Sequence, residues 1–146
     1  MDVGSGGGAP GIPLASALPD RDVTLLEANG RKCAFLREAA REFSNVTVVQ
    51  GRAEEQETDR FGVAVAKALA APPVAAEWCL PLVAPGGAAV LYVGPSADAA
   101  VVGRVSERLG GAPAEETPGL LVLRKLEPTP TGFPRRPGVA KRRPLA

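Results

Sequence analysis

The chain has 146 residues, a net charge of +1, 45% hydrophobic residues and 4% aromatic ones, which bounds it to one domain with a core of Ala, Val and Leu. It has no His and two isolated cysteines, which excludes Ser-His and Cys-His catalysis and leaves no donor cluster for a metal such as zinc. No apolar run nears the roughly 20 residues of a membrane helix and no basic-then-apolar leader opens the chain, so a cytoplasmic protein with reduced thiols and no membrane partner is expected.

In chain order, Met1-Asp-Val-Gly-Ser-Gly-Gly-Gly-Ala-Pro-Gly11 is a glycine loop with almost no strand ahead of it. Val23–Leu26 reads as a short apolar strand. Phe35, Leu36, Ala39, Ala40 and Phe43 recur at helical spacing and predict a helix over 31–43. The β-branched run Asn45–Gln50 predicts a strand, and Phe61–Ala66 a buried one. Pro72-Pro73 opens a helix marked by Val74, Ala75, Trp78, Cys79 and Leu82, because proline is tolerated in a first turn. Pro85-Gly86-Gly87 predicts a turn before the strand Ala88–Val93. Ser96 is the expected cap of a helix that reaches Leu109 and stops at Gly110-Gly111. Leu120–Leu123 is the last strand. Short buried strands alternating with helices predict an α/β fold, a mostly parallel Rossmann-like sheet covered on both faces. One domain is expected over 1–127, followed by an extended, basic, Pro-rich tail over 128–146.

In such sheets cofactors bind beyond the carboxyl ends of the strands, at the switch point. That gathers Gly4–Gly11, Glu27, the residues after Gln50 and those after Ala66 around one crevice. Gly4 and Gly6 lack a Cβ and can take positive φ, so backbone can approach a ligand closely. Glu27 follows Gly4 by 23 residues, where a second strand presents a carboxylate to ribose hydroxyls. A dinucleotide oxidoreductase would carry a similar loop, but three details favour S-adenosylmethionine. Asp2, just before Val3-Gly4, suits the cofactor's ammonium, directly or through water, and would repel a diphosphate. In Gly51-Arg-Ala-Glu54 the Ala53 backbone N–H and the Glu54 carboxylate suit an adenine edge. Leu82-Val-Ala-Pro-Gly-Gly87 is a turn that recurs in class I methyltransferases.

Asp2-Val-Gly-Ser-Gly-Gly-Gly-Ala-Pro-Gly-Ile-Pro-Leu14, Thr24-Leu-Leu-Glu27, Val49-Gln-Gly-Arg-Ala-Glu-Glu55, Glu77-Trp-Cys-Leu80 and Pro134-Arg-Arg-Pro-Gly138 together resemble the bacterial 16S ribosomal RNA guanine-N7 methyltransferase family, RsmG or glucose-inhibited division B. The resemblance runs over nearly the whole chain. It implies the class I S-adenosylmethionine-dependent fold, with strand order 3-2-1-4-5-7-6 and the first strand largely missing here. It implies cofactor contacts at Gly4, Ala9, Ala53, Glu54 and Lys67, to which the residue chemistry adds Asp2, Gly6 and Glu27. Methylation of guanine N7 needs no general base, because that nitrogen carries a lone pair and no proton; no catalytic acid or base is therefore assigned. The implied substrate is 16S rRNA or a small-subunit precursor, read as an unstacked base by a monomer.

The charge is unevenly spread. Up to Glu127 there are twelve basic and sixteen acidic residues; beyond it Arg135, Arg136, Lys141, Arg142 and Arg143 stand with no acid. These five are the candidate RNA-binding residues, through phosphate contacts, with a merely solubilising tail as the other reading. The chain departs from the family in four places. Its N-terminal helices and first-strand body precede the loop in the family, whereas only Met1 precedes Asp2 here. Losing a central strand's buried side chains costs on the order of 10 kcal/mol, so poor folding of 1–146 alone is expected. The family's Arg after the fourth strand is Lys67, its Lys after the fifth is Val93, and a Gly-Glu-Arg-His stretch has shrunk to Thr117-Pro-Gly119. A non-catalytic homologue that keeps cofactor or RNA binding is the alternative reading, ahead of the oxidoreductase.

Overall fold

The computed structural model describes residues 1–146. Its strands are β1 (Asp2–Val3), β2 (Val23–Glu27), β3 (Val46–Gln50), β4 (Phe61–Lys67), β5 (Val83–Tyr92), β6 (Glu115–Thr117) and β7 (Leu120–Arg124). They form one sheet in the order β3-β2-β1-β4-β5-β7-β6. The first five in that order run parallel, while β7 lies antiparallel to β5 and β6 antiparallel to β7. The helices are α1 (Gly11–Ala17), α2 (Gly30–Ala39), α3 (Pro72–Cys79), α4 (Ala99–Arg108) and α5 (Val139–Arg142). None is long and apolar enough to cross a membrane.

The sheet's centre is small-residue backbone packed closely on helices. Ala64 and Ala66 of β4 and Ala89 and Leu91 of β5 meet Ala75, Ala76 and Cys79 of α3 in one buried cluster that also takes in Val102 and Val105 of α4. At β1 the sheet is narrow. Asp2 and Val3 pair with Leu25 and Leu26, and Asp2 with Val65, while the Met1 amine donates to the Val63 carbonyl at 2.7 Å. Val23 and Thr24 of β2 have no partner on that side, and Val63 of β4 is 49% exposed.

Several elements differ from the sequence expectation for identifiable reasons. Gly11-Ile-Pro-Leu-Ala-Ser-Ala17 is a helix, with Pro13 in the first turn where no intrahelical N–H is needed. Helix α2 ends at Ala39 rather than 43, and Cys33, Leu36 and Ala40 form its buried stripe while Phe35 is exposed. Pro85-Gly86-Gly87 is not a turn between elements: β5 starts at Val83 and carries it as an irregularity, with Phe61 opposite Val83 and Val63 opposite Ala88. Asp98, not Ser96, caps α4, its carboxylate accepting from the Val101 N–H. Glu115–Thr117 forms a hairpin strand although all three residues are exposed.

The segment after Glu127 is docked rather than extended. The Thr129 hydroxyl accepts from Lys125 Nζ and donates to Asp59, both at 2.8 Å, and the Thr129 N–H also reaches the Asp59 carboxylate. Lys125 itself is 1% exposed and donates to the Leu80 and Leu109 carbonyls. Burial pulls its ammonium below the ordinary lysine range, opposed by the neighbouring Asp59. Farther on, Ala140 of α5 is 1% exposed.

Candidate functional site

Parallel strands bring their carboxyl ends to one edge, and there β1, β2 and β4 open into a cavity of about 490 Å³. The loop that leaves β1 supplies its floor. Gly4 has φ +73 and Gly6 φ +54, conformations that side chains with a Cβ rarely take. A Cβ at Gly4 would also run into the Leu69 side chain, whereas at Gly6 it would meet only the Gly4 carbonyl at 3.8 Å and at Gly7 it would project into open space. The loop is held from below at two points. Glu27, at the end of β2, accepts the Gly6 N–H at 3.0 Å on one oxygen and the Asn29 N–H at 2.9 Å on the other. Asp2 accepts the Gly11 N–H at 3.0 Å, fixing the start of α1, while the Ser5 hydroxyl donates to the Asp2 carbonyl.

Seven of the eight expected cofactor residues line this cavity: Gly4, Gly6, Ala9, Glu27, Ala53, Glu54 and Lys67. Asp2 does not. It is 1% exposed, and its carboxylate lies under the loop, turned to Gly11. Burial raises its pKa above the ordinary carboxylate range, with the hydrogen bonds of Gly11 and Ser5 pulling the other way. Ala53 and Glu54 sit on a short turn after β3, Ala53 buried and Glu54 accepting the Gly138 N–H at 3.1 Å. Lys67 is the exposed last residue of β4.

The basic C-terminal residues separate into different environments. Arg135 is held by Glu77, Nε to Oε1 and Nη2 to Oε2, both at 2.5 Å, and Nη2 also donates to the Arg143 carbonyl. Glu77 is 2% exposed, so Arg135 fastens the segment to α3 and its guanidinium is not free for phosphate. Lys141 lines the cavity, its Nζ 5.3 Å from the Trp78 ring centroid. Arg136, Arg142 and Arg143 are exposed. The C-terminal segment therefore forms one wall of the crevice.

Sequence reasoning missed Trp78, Leu69, Lys32 and Arg52 as lining residues. Trp78 was legible as one of the periodic apolar residues of α3 and within the motif Glu77-Trp-Cys-Leu80, but nothing local says that its ring meets a segment 63 positions later. Lys32, Arg52, Lys67 and Lys141 ring the cavity against the carboxylates of Glu27 and Glu54, so its mouth favours an anionic partner. No group of three or more His, Cys, Asp or Glu gathers to hold a metal.

Comparison with known proteins gives consistent matches. The family model "GidB: rRNA small subunit methyltransferase G" matches residues 1–107. The Ribosomal RNA small subunit methyltransferase G of Synechococcus sp. (strain JA-3-3Ab) is 41% identical over 164 aligned positions, covering 99% of this chain and 63% of that protein. The protein of the same name from Rubrobacter xylanophilus is 40% identical, covering 99% and 64%. The chain thus spans a little under two thirds of the length of these relatives. Among solved structures, the apo S-adenosylmethionine-dependent methyltransferase SibL superposes with a TM-score of 0.71 at 15% identity over 86% of this chain and 50% of that one. The antibiotic-resistance methyltransferase Kmr gives 0.66 at 17% identity over 86% and 85%. At those identities the likeness is one of fold, and it is the class I methyltransferase fold.

Proposed function

This chain belongs to the GidB family, rRNA small subunit methyltransferase G, and we propose that it binds S-adenosylmethionine in the cavity at the end of β1, β2 and β4 and methylates N7 of a guanine in small-subunit rRNA. The observation that carries the reading is the Glu27–Gly6 arrangement: a strand-end carboxylate that fixes an open-faced glycine loop. The residues fit the cofactor. Gly6 and Gly7 leave the loop's outer face free of side chains, and each Glu27 oxygen, having accepted one backbone N–H, retains a lone pair for a ribose hydroxyl. Ala53 and Glu54 offer a backbone donor and an acceptor at the other end of the cavity, for the adenine edge.

The bound cofactor supplies an electrophilic methyl carbon. The chain's own part is then binding and alignment. Glu27 and the loop hold the nucleoside, and Leu69, packed over Gly4, closes the floor. Asp2 positions the loop through Gly11 rather than lining the site. Lys32, Arg52, Lys67 and Lys141 draw the polyanion to the mouth. No residue needs to take a proton, since guanine N7 has none to lose, so a chain without His is compatible with that reaction. The expected setting is the cytoplasm.

One observation favours a second reading, a cofactor-binding protein without turnover: the surface between β5 and the β6–β7 hairpin, lined by Val93, Gly94 and Thr117–Gly119, offers Glu116 and no cation. Titration with S-adenosylmethionine and with a nicotinamide dinucleotide, followed by transfer of labelled methyl to 16S rRNA lacking the modification, separates the readings. Binding of S-adenosylmethionine alone, with transfer, is expected. Binding without transfer supports the second reading, and binding of the dinucleotide instead would overturn both.

A further inference from the structure

The C-terminal segment meets the cavity at one carboxylate. Glu54 Oε1 accepts the Gly138 N–H at 3.1 Å, while the other Glu54 oxygen takes no hydrogen bond from the protein. Gly138 has φ +79 and begins α5, a single turn of four residues, too short to be stable by its own hydrogen bonds. Its first bond, from the Arg142 N–H to the Gly138 carbonyl, is long at 3.4 Å. The segment is fastened on either side of that turn. Arg135 is clasped by Glu77, and farther on Ala140 is buried and Arg108 donates to the Leu145 carbonyl at 3.0 Å. Between Arg135 and Ala140 the link to the strand-end turns is Glu54. Lys141 lies over the Trp78 ring, but the buried indole N–H has no hydrogen-bond partner, so α5 can tilt across that ring without breaking a hydrogen bond. Arg142 folds back beside Gly138, its Nη1 4.0 Å from where a Gly138 Cβ would stand.

Resting on the reading in which Glu54 accepts at the adenine edge, we propose that Glu54 joins the cofactor site to the RNA-binding segment, and that cofactor and RNA bind cooperatively through it. The carboxylate has an oxygen for each partner, Gly138 on one and the adenine amino group on the other. A donor on the second oxygen fixes the torsion of the carboxylate, and with it the acceptor that the Gly138 N–H needs. The Gly138 turn then holds α5. That helix carries cations at the mouth, Lys141 on the cavity wall and Arg142 exposed beside Gly138, with exposed Arg136 just before the turn. Cations already held in place lose less freedom when they meet phosphates, so the loaded chain grips RNA more tightly than the free one. Linkage makes the effect reciprocal, and RNA tightens the cofactor by the same factor. Glu54 and Gly138 are positioning residues in this scheme, acting on RNA through α5.

The test measures the affinity of the full chain for a short 16S-type RNA by fluorescence anisotropy, with and without saturating S-adenosylhomocysteine, and follows amide hydrogen exchange around Gly138. S-adenosylhomocysteine should tighten RNA on the order of tenfold, and RNA should tighten S-adenosylhomocysteine by the same factor. Exchange at the Gly138 amide should slow when the cofactor product binds. RNA affinity that stays within about twofold, or unaltered exchange at Gly138, would overturn the proposal. S-inosylhomocysteine, which carries a carbonyl in place of the amino group, tests the joint without any substitution. At saturation it should leave RNA affinity within about twofold of the ligand-free chain, and a gain equal to that from S-adenosylhomocysteine would overturn the role of Glu54. Glu54→Gln has one acceptor oxygen in place of two, so saturating S-adenosylhomocysteine should no longer tighten RNA; tightening equal to the parent's would overturn that role as well. Arg142→Ala should weaken RNA several-fold more in the loaded chain than in the free one, and an equal loss in both states would overturn the part given to α5. Coupling without any methyl transfer would leave this inference standing and remove the methyl-transfer reading. Transfer without coupling would do the reverse.

Discussion

Glu77 and Arg135 meet through two parallel hydrogen bonds of 2.5 Å, the carboxylate on α3 and the guanidinium 58 residues later. With Glu77 2% exposed, the pair is a fastening between the sheet domain and the segment that walls the cavity. Arg135→Ala leaves a buried carboxylate without its counter-ion and should cost about 3 kcal/mol of stability in denaturant titrations. Arg135→Lys keeps the charge but not the fork and should cost about 1 kcal/mol. A change under about 0.5 kcal/mol for the alanine variant would show that the segment does not rest on this pair.

Glu27 reads differently from a surface acid because both its oxygens accept backbone N–H groups. Glu27→Gln places an amide donor against one of those donors, so it should behave nearly as badly as Glu27→Ala. Both should weaken S-adenosylmethionine and S-adenosylhomocysteine by roughly ten- to a hundredfold, and by the same factor, since the ribose is common to the two. Isothermal titration reads this; a loss seen with only one ligand would place Glu27 at the sulfur instead.

Asp2 gives a pH test. Burial holds its folded-state value above the unfolded one, so the folded chain binds the proton more readily. The ionised form therefore costs stability, fully above the folded value and not at all below the unfolded value. As pH falls through that window, the wild-type chain should gain stability relative to Asp2→Asn. Parallel denaturant curves from neutral to acid pH check the sign, and a difference that moves the other way would contradict the buried placement.

Both cysteines are 0% exposed, and burial, with the Asp2 charge as a lesser cause, pushes the Cys79 thiol up to about 12. Neither should react with a thiol reagent in the native chain at mild pH, and both should react on unfolding. Fast labelling of Cys79 in the native chain would mean that α3 opens readily.

Much of this fold could be read from residue patterns. The β-branched run at 45–50 and the apolar runs at 23–26 and 61–66 gave β2, β3 and β4 because buried parallel strands need such residues. Helix α1 escaped because Gly11 and Pro13 mask it, and β6 because Glu115, Glu116 and Thr117 have no buried face to alternate with. The site divides along the same line. The loop and Glu27 are legible because a glycine run and a carboxylate at fixed spacing have few structural alternatives. Asp2 has the right chemistry for a ligand, but the Gly11 N–H claims its carboxylate. The docking of 128–146 depends on Arg135–Glu77, Gly138–Glu54 and Thr129–Asp59, contacts across 58 to 84 positions that no local pattern encodes.

The most direct measurement is nucleoside analysis of 16S rRNA from cells lacking the modification, after incubation with the chain and methyl-labelled S-adenosylmethionine. Label recovered in 7-methylguanosine is the expected result. Label in another nucleoside, or no label under conditions where the same chain takes up the cofactor, would contradict guanine-N7 transfer by this chain.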